Sequence, residues 1–467
     1  PTLARPPRAD DGALDADHER KKPDYDGRGD DYRPSPAVWA PRVVLFPLYA
    51  LDRWVLRAPM RGAAVWIDKH HALVRLKSWL TFDDGKVGIF PIVQVGNGQR
   101  PGFGLSVFAN QVFVPWHTMK AAATTDFSQN IMSGMVNTFQ LAHVADLNLT
   151  LAYQQRNDLV FYGTGKRSLQ TDQTRFERHK PLAALELVLG SGAGASNRAT
   201  SSIGIGGFAN GNMESSAANH LGARFGIEVS NNDFQCTTRV PDICGPDHKK
   251  GTPDDRFTLD KGGEAAYFYS GYSLMRLKAL FSVDSRSVKS PDSSGVRLDA
   301  FGRYGRGIGE RSEDIRFFRY GGELSGFVDL SGHRHRVLAA RLYVEMLDKI
   351  NGSQLPFEEL ITLGGFETMR GFLRARFQGQ SAVVASLEYR WPVWSFLDAD
   401  LFYDLGNVFD SHLRDFEVTW LRSSYGVIFR TSTSRDVAFS FSLGVGSKAG
   451  SARPDEFRLL AGTNIGF

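Results

Sequence analysis

Arg370 stands in a glycine-rich stretch, Leu-Gly-Gly-Phe-Glu-Thr-Met-Arg-Gly-Phe at 363–372, just upstream of two segments that carry carboxylates. Glu388 lies in the first, 381–391, and Asp398, Asp400 and Asp404 lie in the second, 396–406. Two kinds of chemistry suit such a set. A guanidinium presents a fork of donors matched to carboxylate oxygens, so acids that would otherwise repel each other can pin a loop bearing Arg370. Neighbouring acids can also act as general acid and base, and Glu388, Asp398 and Asp400 are candidates for that. Charged lining of a wet interior explains them with fewer assumptions.

Other constellations carry less. Gly204-Ile-Gly206-Gly-Phe-Ala209, with Glu228 downstream, fits a dinucleotide fingerprint. The Asn-Gly-Asn-Met-Glu-Ser-Ser that follows is no helix, so nothing would hold a pyrophosphate. His70, His71, His333 and His335 lack acidic or cysteine partners at ligand spacing, and no metal or cofactor is expected. Cys236 and Cys244 bracket a short polar loop, which predicts a disulfide and an oxidising, extracytoplasmic setting. Two unconnected thiols are the alternative.

The elements that would position Arg370 and the acids are strands. In 381–391, Val383, Ala385, Leu387, Tyr389 and Trp391 share one face, and Val384, Ser386, Glu388 and Arg390 share the other. In 396–406, Leu397, Ala399, Leu401, Tyr403 and Leu405 oppose Asp398, Asp400 and Asp404. Period-two alternation of this kind marks strands, and it runs from Thr81 to the end of the chain. Sixteen are expected, at about 87–96, 102–114, 131–141, 144–155, 174–190, 199–212, 219–230, 264–283, 294–304, 314–330, 334–348, 380–392, 396–409, 418–430, 435–446 and 455–467. The last would place Phe457, Leu459, Ala461, Thr463, Ile465 and Phe467 on one face.

A soluble sandwich alternates too. The high, even strand count, the lack of helix patterns between strands and an ending on Phe467 inside a strand favour a closed membrane barrel, whose last strand pairs with its first. No apolar run of about 20 residues is present to form a transmembrane helix. The mean hydropathy of -0.26 looks soluble, but a barrel strand needs only about 9–11 residues with every second one apolar. The net charge of +4, from interspersed acids and bases, is too small to imply nucleic acid, and no such partner is expected. Ser273, Ser325 and Ser440 stand in no nucleophile motif with an evident histidine, as a lipid-hydrolysing barrel would need.

Three regions follow. Residues 1–37 are polar and expected to be disordered. Residues 38–80 read as helices broken near Pro59, and their Trp and Lys/Arg mixture suits either a membrane interface or packing on the protein. Residues 81–467 form the barrel. The chain begins at Pro1 without an apolar leader, as an unexported protein or a mature exported one would. With a periplasmic N-terminus, loops 231–263 and 349–379 face outward. Long turns at 115–130 and 156–173 then fall on the periplasmic side, against the rule that inner turns are short.

Gly364-Gly365-Phe-Glu-Thr-Met-Arg370-Gly371-Phe372, then Glu388-Tyr-Arg390, then Phe402-Tyr-Asp404-Leu-Gly406 stand in the order of a known set. With the Leu-Pro-Phe-Glu-Glu-Leu lead-in at 355–360, they resemble the BamA/TamA superfamily of bacterial outer-membrane barrels (surface-antigen type). The resemblance covers roughly residues 81–467. It implies a 16-stranded antiparallel transmembrane β-barrel with an inward-folded loop between strands 11 and 12, preceded here by a short helical segment. Arg370 would contact Asp404 and Glu388, with Gly364, Gly365 and Gly371 permitting the tight tip and Phe372 and Gly406 completing the motif. The family's periplasmic POTRA modules have no counterpart pattern in 1–80.

What the resemblance implies for function is insertion or translocation of proteins or lipids through a weak seam between the first and last strands. Gly462, Gly466 and Phe467 would lie there. The expected partners are outer-membrane lipids, client outer-membrane proteins and a periplasmic or outer-membrane subunit, with no enzymatic activity. A lipid-modifying enzyme and a passive pore or structural barrel are the alternatives.

Overall fold

The computed structural model describes residues 79–467 except 84–85, 95–101, 113, 128, 143, 191–219, 260–261, 287–293, 331–335, 366, 395–396, 434–435, 449–453 and 463–467. The expected segments 1–37 and 38–78, the strand at 199–212, Gly466 and Phe467 lie outside the described residues. Sixteen strands follow one another: β1 Val87–Gln94, β2 Gly102–Asn110, β3 His117–Thr125, β4 Ile131–Ala142, β5 Ala145–Phe161, β6 Thr174–Gly190, β7 His220–Gln235 and β8 Tyr272–Asp284. The chain continues with β9 Gly295–Gly307, β10 Arg316–Asp329, β11 Val337–Lys349, β12 Ser381–Trp394, β13 Leu397–Phe409, β14 Arg422–Thr433, β15 Asp436–Lys448 and β16 Pro454–Gly462. Each is antiparallel to the next from β1 to β16. Every register among the described residues joins consecutive strands, and none joins β16 to β1. A two-residue strand, Thr81–Phe82, pairs with the start of β1.

The faces of this sheet are inverted relative to a soluble protein. On β8, Arg276 is 7% exposed and Asp284 6%, whereas the alternating Leu277 is 45% and Phe281 52% exposed. On β7, Glu228, Ser230 and Asn232 are buried while Phe225, Ile227 and Val229 are exposed. On β12 and β13, Leu387, Leu401 and Tyr403 are exposed, whereas Ser386, Asp400 and Asp404 are buried. An apolar exterior around a polar interior is the arrangement a hydrocarbon solvent imposes, and antiparallel pairing satisfies the backbone that lipid cannot.

The meander sorts its connections by end. At one end, strands are joined across two residues at 143–144, 395–396 and 434–435, across six to ten at 111–116, 330–336 and 285–294, and across the long 191–219. At the other lie 162–173, 236–271, 350–380 and 410–421. Those long loops enclose the main apolar core, a dome built around Phe357. Its ring lies 5.2 Å from Phe161, 5.4 Å from Phe176 and 5.1 Å from Phe234, centroid to centroid. Such aromatic pairs contribute about 0.5–1.5 kcal/mol each beyond burial.

Two differences from the expected strands have physical causes. The stretch 115–130, expected as a turn, contains β3. Its Ala121, Ala122 and Ala123 show no polarity alternation, and pairing with β2 and β4 on both sides decides its conformation. β6 and β7 pair directly with each other, and the strand expected at 199–212 lies outside the described residues. Residues 264–271 precede β8 instead of starting it, because Ala265, Ala266, Tyr267 and Phe268 are all buried in the dome. With β3 in place, 162–173 falls at the same end as 236–271 and 350–380, and 191–219 is the long connection at the opposite end.

Cys236 and Cys244 are joined by a disulfide in the 236–271 loop. The Asp242 carboxylate organises this turn, accepting from the Thr237 and Cys244 amides, both at 3.3 Å, and from His248 Nδ1 at 2.7 Å. That hydrogen bond raises the His248 pKa above its ordinary value of 6.5. The charged pair is thus fully formed below the unfolded pKa and is lost as pH rises through the raised one. An NMR titration should place the His248 midpoint above that of a free histidine, and Asp242→Asn should lower it. On the lipid side, Leu277→Arg should destabilise the barrel by about 2–4 kcal/mol if it sits at the bilayer midplane, read by denaturant unfolding in lipid vesicles.

Candidate functional site: an arginine loop folded into the lumen

The 350–380 loop descends from the dome into the sheet's polar interior. A 3-10 turn, Phe357–Glu359, roots it: Phe357 enters the apolar core while Glu358 and Glu359 turn to the lumen wall. Glu359 accepts from Tyr272 Oη at 2.7 Å and from Arg276 Nε at 3.2 Å, and Glu358 pairs with Arg178. The loop then forms a ribbon, with Ile361–Leu363 antiparallel to Phe377–Gly379. The tip at 364–376 is closed by hydrogen bonds that the Gly365 amide donates to the Phe372 carbonyl at 3.2 Å and the Phe372 amide to the Met369 carbonyl at 2.9 Å.

Two glycines make the tip sterically feasible. Gly364 sits at φ +104°, and a Cβ there would strike the Leu373 carbonyl. Gly371 passes directly over the backbone of Val445 on β15, where a Cβ has no room. Its amide donates to Ser424 Oγ at 2.5 Å.

Arg370 is held from four directions. Its Nη2 donates to Asp404 Oδ1 at 2.8 Å and its Nε to Asp404 Oδ2 at 3.2 Å, while its backbone amide reaches the same Oδ2 at 2.9 Å. Nη1 donates to Glu388 Oε2 at 2.6 Å. The guanidinium also lies 4.2 Å from the Phe402 ring centroid. Glu388 bridges onward to Arg390 at 3.1 Å, and Arg390 pairs with Asp400 at 3.1 Å. The carboxylates that alone would repel are thus threaded between guanidiniums.

The structure brings Arg370, Gly371, Phe372, Gly364, Gly365, Glu388 and Asp404 into one cluster. Gly406 lies further along β13, level with Val384 and Arg422, and Asp400 serves Arg390 rather than the loop. Gly462 is opposite Ser440 at the end of β16. Ser273 donates to Asn231 and Ser325 to Glu323.

A second set of contacts escaped the sequence reading. Glu456 on β16 accepts from Arg376 Nε at 2.8 Å and from the Leu373 amide at 3.1 Å. Arg458, two residues along, donates to the Phe372 carbonyl at 2.6 Å and the Arg370 carbonyl at 3.3 Å. Arg376 also donates to Ser168 Oγ and its carbonyl, both at 3.1 Å. The signal was available: if Phe457 and Leu459 face lipid, Glu456 and Arg458 must face the lumen. Ser424 gave no comparable sign.

An inverted antiparallel sheet with a lumen-folded arginine loop defines an outer-membrane β-barrel. Residues 259–465 match the Omp85 superfamily domain. The chain is similar in structure to BamA from Haemophilus ducreyi lacking POTRA domains 1-3, at 14% identity and a TM-score of 0.52, over 80% of this chain and 69% of that one. CdiB from Escherichia coli is similar at 11% identity and a TM-score of 0.50, over 82% of this chain and 63% of CdiB. At such identities the likeness is one of fold. No curated protein matches the chain in sequence.

Removing the Arg370 side chain strands the buried Asp404 carboxylate, while Glu388 keeps Arg390. Breaking a buried pair from one side costs about 3–5 kcal/mol, so Arg370→Ala should lower stability by that order while the sheet still forms. Hydrogen exchange should then show amides of 364–376 losing protection and β12–β13 amides retaining it. Unchanged protection of the tip would refute the role of Arg370 as its anchor.

Proposed function

We propose that the chain inserts or translocates proteins or lipids at the bacterial outer membrane, working where the last strand meets the first. The observation that carries this reading is the double attachment of the loop tip. Arg370 is anchored to β12 and β13, and Gly371 to β14. Arg376 and the carbonyls of Arg370 and Phe372 hold β16 from inside. The loop is therefore in mechanical contact with the strand that borders the seam.

Features of the bordering strands support a seam that opens. Pro91 sits within β1 and cannot donate to a ladder, and prolines in sheets are confined to edges. Gly462, at the end of β16, offers no side chain to pack. The outer-membrane lipids would border this seam. Client barrels would pair with it, and a periplasmic or outer-membrane subunit would present them. In this reading the N-terminus is periplasmic, the long-loop end faces outward, and residues 38–80 dock at the periplasmic mouth, in the lumen or on the membrane. The activity is transport or insertion and involves no bond chemistry.

Reconstitution into liposomes tests the proposal by scoring both assembly of a client barrel and lipid flip-flop. At least one should exceed protein-free vesicles, and Glu456→Gln, which weakens the hold on β16, should change its rate. If both stay at background, the reading fails.

A further inference from the structure

Three inward-facing cations lie side by side on neighbouring strands, well away from the arginine loop's tip. Lys278 on β8 is directly opposite Arg303 on β9, and Arg303 is directly opposite Arg319 on β10. Adjacent strands are about 4.7–4.9 Å apart, and like charges in direct register destabilise a sheet. The outer two are answered by acids: Lys278 pairs with Glu228 on β7, and Arg319 Nη2 donates to Glu345 Oε2 on β11 at 2.9 Å. For Arg303, in the middle, no carboxylate pairs with it among the described residues. Its Nε is buried with no hydrogen-bond partner, and its guanidinium carbon lies 5.6 Å from the Phe301 ring centroid.

The surrounding charges do not make up the difference. Glu228 is shared between Lys278 and Arg276, and Glu359 is taken by Arg276 and Tyr272. Four cations, Arg276, Lys278, Arg303 and Arg319, thus meet three carboxylates, Glu228, Glu345 and Glu359. The cluster carries one positive charge in excess, on Arg303.

We propose that this row binds a phosphate-bearing group inside the lumen, with the free fork of Arg303 at its centre and Lys278 and Arg319 flanking it. A phosphate group offers three strong acceptor oxygens to this row of three cations, whereas a carboxylate offers two. Guanidinium forks hold phosphate oxygens in pairs. The group is either inorganic phosphate or the phosphate of a lipid headgroup. The inference stands on strand register and charge, independently of what passes the seam.

The test uses the whole chain purified in detergent, with melting followed by tryptophan fluorescence at constant pH and ionic strength. Inorganic phosphate is titrated against chloride, and dihexanoyl phosphatidic acid against dihexanoylglycerol, which lacks the phosphate. We expect a saturable rise in Tm with at least one phosphate-bearing ligand and none with its control. A response to inorganic phosphate assigns the free anion, and a response to the phosphatidic acid alone assigns the headgroup. Arg303→Gln should leave the ligand-free Tm unchanged or higher, since it relieves repulsion. It should weaken the apparent affinity by about tenfold or more, the worth of a charge-assisted hydrogen bond. Equal shifts with the controls, an undiminished response in Arg303→Gln, or no shift at all would overturn the proposal. If the variant does not fold, the wild-type contrast between ligand and control decides.

Discussion

A guanidinium withdrawn from water must be answered by acids, and the Arg370 guanidinium is answered by acids on two different strands. Asp404 takes its Nε, its Nη2 and its backbone amide, and Glu388 takes Nη1. Asp404 is not tolerable there without it, because it would be a dry charge with no other cation paired to it among the described residues. The interdependence fixes the depth of the loop and the register of β12 against β13 at once. It also explains the glycines on either side, since only a backbone without Cβ brings Arg370 that close to the wall.

The sheet makes this possible by separating two solvents. Lipid takes the face bearing Leu277, Phe281 and Leu401, and the opposite face keeps charges that would be prohibitive in hydrocarbon. The apolar core that remains is small and lies at one end, under the long loops around Phe357. Such a molecule is held by its ladders and its lumen ion pairs more than by a central hydrophobic core. Its interior can therefore be rearranged by exchanging partners among charged groups, with little apolar surface to expose.

How legible this was in the sequence depended on the element. Period-two alternation exposed β12 and β13 because lipid and lumen demand opposite polarities of successive residues. It failed at β3, where Ala121 to Ala123 satisfy both faces equally, and at 264–271, where consecutive apolar residues fill the dome. Among the described residues β3 went unread, and the strand expected at 199–212 lies outside them. The Arg370 cluster was readable from the order of its motifs, whereas Arg376 and Ser168 come together only through the folded loop. Glu456 and Arg458 were readable in principle, since the outward phase of β16 fixes the inward one.

The loop's attachments differ sharply in how far they reach along the chain. Neighbouring strands pair mostly across short connections, so the sheet can grow by local steps that each close a small loop. Arg376 instead bonds to Ser168 across 208 residues and to Glu456 across 80. Those bonds cannot all exist until β5, β6 and the final strand have each arrived. Docking of the tip therefore reports that the sheet is complete, and a chain stalled short of β16 would carry Arg376 and the Leu373 amide without their acid. The loop is, in folding terms, the last signature on the structure.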